Sequence, residues 1–177
     1  VRDWLPDPVG GVIWWGAAAP HEVVLVPLYC GITDVPDAFD TGSLEKFDRD
    51  VASWAFNFMG NWAELKWSYM YPEIQAFQKK TEGKLFAMQS AIEAAAAQLY
   101  AVDPELCKEF LTDYVADVSD RVMAETWEFN EYLITKYRDG YINIPNVGAS
   151  AGYPDAWLKE VGYADGHIFG DDGYKAK

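Results

Sequence analysis

The chain has 177 residues, half of them apolar and 16% aromatic, with 28 acidic against 14 basic residues and a formal charge of -14. That aromatic content excludes a disordered chain, and the length suffices for one domain with a sizeable core. The acidic balance, with no basic stripe to override it, argues against nucleic acid and membrane as partners, because phosphate recognition needs clustered Lys and Arg, and no apolar run is long enough to span a bilayer.

Glycine and proline divide the chain into a turn-rich start (1–47), a stretch with two of each (48–139) and a turn-rich tail (140–177). This predicts a strand-rich segment, a helical segment and an extended tail with a short helix. Position 1 is Val and not Met, so the expectation is that sequence upstream has been removed. In the first segment, Val12–Trp15 and Val23–Val26 are continuous apolar runs without the alternation of a half-wet strand. Strands covered on both faces read this way. Gly16 to His21 supplies the connection, and Pro27 closes the second strand or places it at an edge. Two strands alone are marginal in water, so the hairpin is expected to join a larger sheet.

In the middle, Asp48 is a candidate cap for a helix carrying Val51, Trp54, Ala55, Phe58, Trp62 and Leu65 at spacings of three and four. Pro72 ends that helix or opens the next. The next places Ile74, Phe77, Thr81, Leu85, Met88, Ile92 and Leu99 on one face, with Gly83 as a weak point. Asp103-Pro104 signals another start, a capping carboxylate followed by proline at the first helical position. That helix is expected to carry Leu106, Phe110, Tyr114, Val118, Val122, Phe129 and Leu133, with a break near Thr112 and a stop at Asp139-Gly140. Pro154 opens a short helix through Val161, anchored by Trp157 and Leu158, and the remainder reads as a surface strap.

A chemical set is harder to find. A thiol nucleophile needs a base, a cation or a helix N-terminus beside it. The chain has two cysteines, Cys30 and Cys107, and two histidines, His21 and His167, and no Lys or Arg lies between Arg2 and Lys46. Cys30 therefore reads as a small core residue at a strand end and His21 as a turn residue. Two buried free thiols are expected, with a Cys30–Cys107 disulfide as the alternative. The pairs Glu125/Glu128 and Asp117/Asp120 share helix faces but have no Glu-x-x-His companion. "GDDG" at Gly170–Gly173 lacks the spaced ligands of a calcium loop. No spacing suits a structural zinc site, and no P-loop, GxGxxG or GxSxG occurs.

The order of segments carries more. "PDPVGGVIWWG", "VPLYCGIT" and "FNFMGNWAELKWS", followed by "AAAQLYAVDPELCKEFLTDY", "YLITKYRDGY" and "GYPDAWLKEVGY", resemble the C-terminal portion of the dipeptidase A-like cysteine dipeptidases, within the N-terminal-nucleophile hydrolase superfamily. The resemblance implies an α+β fold, a hairpin belonging to a four-layer αββα sheet followed by a mainly helical region. All of 1–177 then forms the C-terminal part of one such domain. It also implies amide hydrolysis by a processed N-terminal cysteine whose own α-amine is the base, on a dipeptide or small peptide. From the residues themselves, no cofactor and no metal are expected. Neither Cys30 nor Cys107 matches that position, so no catalytic residue carries over. Trp14, Trp15, His21, Tyr29 and Cys30 are then expected to line the wall of the substrate cleft. The implied partner is the missing N-terminal half, in the same or a companion chain. A homo-oligomer is left open, and the protein is expected to be soluble, cytoplasmic or exported. Two other readings stand beside this one: a non-catalytic helical interaction module, and another amidase or acylase of the superfamily.

Overall fold

A computed structural model of the chain describes residues 2–138, 142–144, 148–150, 153 and 155–163. Asp103 and Pro104 build its central feature. Helix α4 (Trp67–Val102) and helix α5 (Pro104–Lys136) are separated by Asp103 alone. The Asp103 N–H donates to the Leu99 carbonyl at 2.8 Å and closes α4. Its carboxylate accepts the Glu105 N–H at 2.9 Å and opens α5, with Pro104 where no intrahelical donor is needed. The two helices therefore run antiparallel. Glu73 meets Lys136, Phe77 stacks on Phe129 with ring centroids 4.5 Å apart, and Thr81 donates to Glu125. They have 36 and 33 residues, so each is roughly 50 Å long at about 1.5 Å per residue.

Helix α3 (Ala52–Glu64) lies against α5 and buries Ala55, Phe56, Met59 and Ala63 in one core with Ile74, Leu85, Val118, Val122 and Leu133. Each large side chain there contributes about 1.5–3 kcal/mol. Two polar ties fix the register of this packing. Trp127 Nε1 donates to the Arg49 carbonyl at 2.8 Å, and Asn130 Nδ2 to the Ala55 carbonyl at 2.9 Å.

The helical readings need several corrections. Asp48 does not cap α3: the helix follows Val51 without a side-chain cap, and the Asp48 carboxylate instead accepts the Asp50 N–H at 2.9 Å in a turn. Pro72 lies inside α4, and the break falls at Lys66, whose φ of -153° and ψ of 58° are not helical. Helix α4 passes through Gly83 unbroken, and no atom lies near enough to contact a side chain there. Met88 is exposed, since beyond Leu85 the buried positions become Glu93 and Ala96. Helix α5 does not break at Thr112, whose hydroxyl bonds back to the Lys108 carbonyl. Its first half buries Cys107, Leu111 and Val115 rather than Leu106, Phe110 and Tyr114, a rotation of one residue toward the strands. The expected stop at Asp139-Gly140 lies outside the described residues; Tyr137 is the C-cap.

The N-terminal hairpin pairs β1 (Val12–Trp15) with β2 (Val26–Tyr29), antiparallel and two-stranded, with Val12 opposite Tyr29 and Trp15 opposite Val26. The second strand is displaced from the predicted Val23–Val26 because α4 captures the backbone before it. Gln78 Nε2 donates to the carbonyls of Pro20 at 3.1 Å and Val23 at 2.7 Å, and Glu82 accepts the Leu25 N–H at 3.0 Å. Backbone groups satisfied by side chains have no need of a strand partner. Pro27 sits within β2, opposite Trp14. The Cys30 N–H donates to the Gly11 carbonyl at 2.8 Å. The alternation of an antiparallel ladder then makes Trp14–Pro27 a non-hydrogen-bonded pair, and proline's missing donor faces away from β1.

Short helices α1 (Asp7–Gly10) and α2 (Asp37–Asp40) flank the hairpin. In the tail, β3 (Ile142–Ile144) and β4 (Gly148–Ser150) form a second antiparallel pair that the sequence did not suggest, followed by α6 (Asp155–Glu160) with Trp157 and Leu158 half-buried. Pro154 and the strap "GHIFGDDGYKAK" lie outside the described residues. The architecture is α+β, mostly helical with a two-stranded hairpin near the N-terminus. Among the described residues no helix is long and apolar enough to cross a membrane.

Candidate functional site

The hairpin holds every residue expected at a cleft wall, and the structure strings them along its length. On β1, burial alternates: Val12 and Trp14 are half-buried, while Ile13 and Trp15 are 62% and 47% exposed. Trp14 rests on Phe86 of α4, ring centroids 4.2 Å apart. Trp15 projects from the opposite face, as neighbouring strand residues must. Among the described residues the uniformly apolar run is thus covered on one face only.

At the end away from the connection, glycines let the N-terminal segment lie against β2. A Cβ at Gly11 would stand 2.5 Å from the Cys30 Sγ, and one at Gly31 2.7 Å from the Pro8 Cβ. The Gly31 N–H donates to the Pro8 carbonyl at 2.9 Å. Tyr29 points inward and is buried, and its hydroxyl donates to Glu93 Oε1 of α4 at 3.3 Å. Gln89 donates to the same oxygen at 2.8 Å, and the Arg2 guanidinium lies 2.6 Å from it. Burial first, and the Glu93 charge second, push the Tyr29 phenol well above its ordinary value. It stays a donor across the physiological range. Cys30 faces the other way and is exposed, which corrects the expectation of a core thiol. Cys107 is buried in α5, and burial pushes its thiol up, away from the reactive thiolate. Both cysteines are free.

His21 sits on the connection between the strands, far along it from Cys30. Its ring meets Trp67 edge-on, centroids 5.4 Å apart, and its Nε2 is 3.7 Å from the buried Glu22 carboxylate. Among the described residues His21 and Cys30 form no pair; His167 lies outside them. Among the described residues no group of three or more His, Cys, Asp or Glu could hold a metal ion. Of the acidic pairs singled out in the sequence, Glu125 is engaged by Thr81 at 2.9 Å and Lys84 at 3.4 Å. Among the described residues the arrangement is a hairpin seated on α4 and α5, with Ile13 and Trp15 on its outer face.

Residues 1–80 match the model of Peptidase family C69, the dipeptidase A-like family. The matched stretch runs from the N-terminal segment through the hairpin and α3 into the first part of α4. The resembling segments "AAAQLYAVDPELCKEFLTDY", "YLITKYRDGY" and "GYPDAWLKEVGY" lie beyond it. No curated protein matches the chain.

Sequence reasoning missed Arg2, Gln78, Glu82, Gln89 and Glu93. Gln78 and Glu82 are one helical turn apart beside an apolar stripe, as are Gln89 and Glu93. In sequence such pairs look like a solvated face; only their distant partners give them a role.

Proposed function

We propose that this chain is the C-terminal part of a dipeptidase-like cysteine peptidase of the C69 type. In this reading it supplies sheet strands and helical support to an active site whose nucleophile lies in sequence outside these residues. The match over residues 1–80 carries the reading. The chemistry agrees with it, because an N-terminal cysteine supplies both thiol and amine base, and Cys30 and Cys107 are internal and meet no base among the described residues.

The hairpin is the contact with the rest of the enzyme. Among the described residues its sheet has two strands, each with an outer edge, and β1 presents Ile13 and Trp15 outward. Open edges and a wet apolar face are liabilities in a free strand pair. Strands from the N-terminal half, in the same or a companion chain, extend this sheet and cover Trp15. The substrate is a dipeptide or short peptide.

Purified 1–177 is expected to show no turnover on a dipeptide panel. Turnover abolished by Cys30→Ser would overturn the reading and make Cys30 a nucleophile. In the complete protein, hydrogen exchange is expected to be slow through residues 11–15 and 26–29; fast exchange there would show the hairpin to be a surface flap. A second reading, a helical interaction module without chemistry, is favoured by one observation: residues 81–177 lie beyond the matched stretch. The intact mass of the natural protein decides between them.

A further inference from the structure

The connection between the strands and the face of α4 beneath it enclose a groove of about 250 Å³. Pro20, Val23 and Leu25 form apolar walls, Gly16 closes one side, and Gln78 and Glu82 supply the polar lining. We propose that this groove binds the primary ammonium end of a short peptide, with Glu82 as its counter-ion. The inference rests on the reading that peptides are the substrate class.

The chemistry of the lining selects the ligand. Gln78 spends both amide hydrogens on the carbonyls of Pro20 and Val23. Those two acceptors fix which end of the amide faces them and leave its carbonyl oxygen as an acceptor. Glu82 spends one oxygen on the Leu25 N–H. Its other oxygen has no cation among the described residues, where Lys84 pairs with Glu125 and Lys136 with Glu73. Two acceptors, one charged, therefore line a partly apolar groove without a donor of their own. A ligand bringing N–H donors and a positive charge answers both needs. The acceptors are held in place by bonds already made to the backbone, so little ordering is left for the ligand to impose. The volume suits one small residue with its amine. Gly16 belongs to this geometry, since a Cβ there would stand 2.6 Å from Val23 Cγ2.

The test is equilibrium binding of alanyl-alanine to the 1–177 chain, followed by the backbone NMR signals of residues 16–25. Glu82→Gln removes the charge yet keeps an acceptor for the Leu25 N–H, so the connection stays anchored. Alanyl-alanine is expected to shift those signals, with affinity lowered roughly tenfold by Glu82→Gln, as for a lost charge pair. N-acetylation of the peptide is expected to lower affinity similarly without any change to the protein. Equal binding of the acetylated peptide, equal binding by Glu82→Gln, or no shift at residues 16–25 would each overturn the proposal. So would n-propylamine binding as tightly as the dipeptide, which would make the groove a general amine site. The readout needs no turnover. An inactive chain leaves the result standing, and dipeptidase activity without a shift at 16–25 removes this inference alone.

Discussion

The helical body and the N-terminal hairpin solve the same problem in different ways. Helices α3, α4 and α5 satisfy their own backbone and need neighbours only to bury a stripe. The hairpin does neither alone. Side chains of Gln78 and Glu82 hold the backbone of its connection, the Arg2–Glu93 pair anchors the opposite end, and among the described residues one apolar face stays wet. Among the described residues the helical region buries its stripes, while the hairpin leaves Ile13 and Trp15 exposed.

Removing Phe56 breaks the complete region. Its side chain is fully buried between α3 and the helix pair, so Phe56→Ala is expected to cost about 3–5 kcal/mol. Chemical denaturation read by circular dichroism measures it, and a cost under about 1 kcal/mol would mean that this core is loose.

The hairpin's dependence on α4 is tested by Gln78→Ala, which leaves the Pro20 and Val23 carbonyls without their donor. A loss of about 1–3 kcal/mol is expected, with faster hydrogen exchange concentrated in residues 20–26. Uniform acceleration across the chain would deny the local anchoring.

The far end of the helix pair carries a pH signature. Burial raises the Glu73 carboxyl, but hydrogen bonds from Lys136, Tyr132 and Tyr137 outweigh it and hold it below its usual range. A depressed folded value adds stability above the unfolded carboxyl value of about 4.3 and loses it as pH falls through the folded one. Glu73→Gln should therefore lower the melting temperature at pH 7 and converge with the parent in acid. Tyr29 and Tyr137 work in the other direction: burial first, then Glu93 and Glu73 respectively, raise both phenols. Their contribution is present below the unfolded value of about 10 and is lost as pH rises from there. A melting temperature that stayed flat from neutral pH into strong alkali would contradict this.

The smallest effect belongs to the wet face. Ile13→Ser in the 1–177 chain is expected to change stability by no more than about 0.5 kcal/mol. On the proposed reading, the same change in a protein carrying the N-terminal half should cost several times more, and equal small costs in both would overturn the proposal that further strands cover β1.

Local rules were legible where local physics decides. Asp103-Pro104 ends one helix and starts another because a short carboxylate and a missing N–H act within a turn. The stripe Ile74, Phe77, Thr81 and Leu85 was likewise readable, because its spacing is set by the helix itself. The cleft-wall residues were legible only as members of a hairpin. Nothing near Tyr29 in sequence announces Glu93, and nothing near Cys30 shows that its thiol faces outward.

Local spacing alone set the Asp103-Pro104 boundary, the stripe Ile74, Phe77, Thr81 and Leu85 and the existence of a strand pair, since these follow from backbone sterics and from the periods of helix and strand. Tertiary structure alone decided that β2 begins at Val26, because the captors of the preceding backbone lie some fifty residues away in sequence. It also decided that Glu93 can be buried, because Arg2, Tyr29 and Gln89 reach it from three separate segments. Hydrogen bonds and charge pairs act over a few ångströms of space, and no spacing within the chain records which distant groups the fold will bring within that reach.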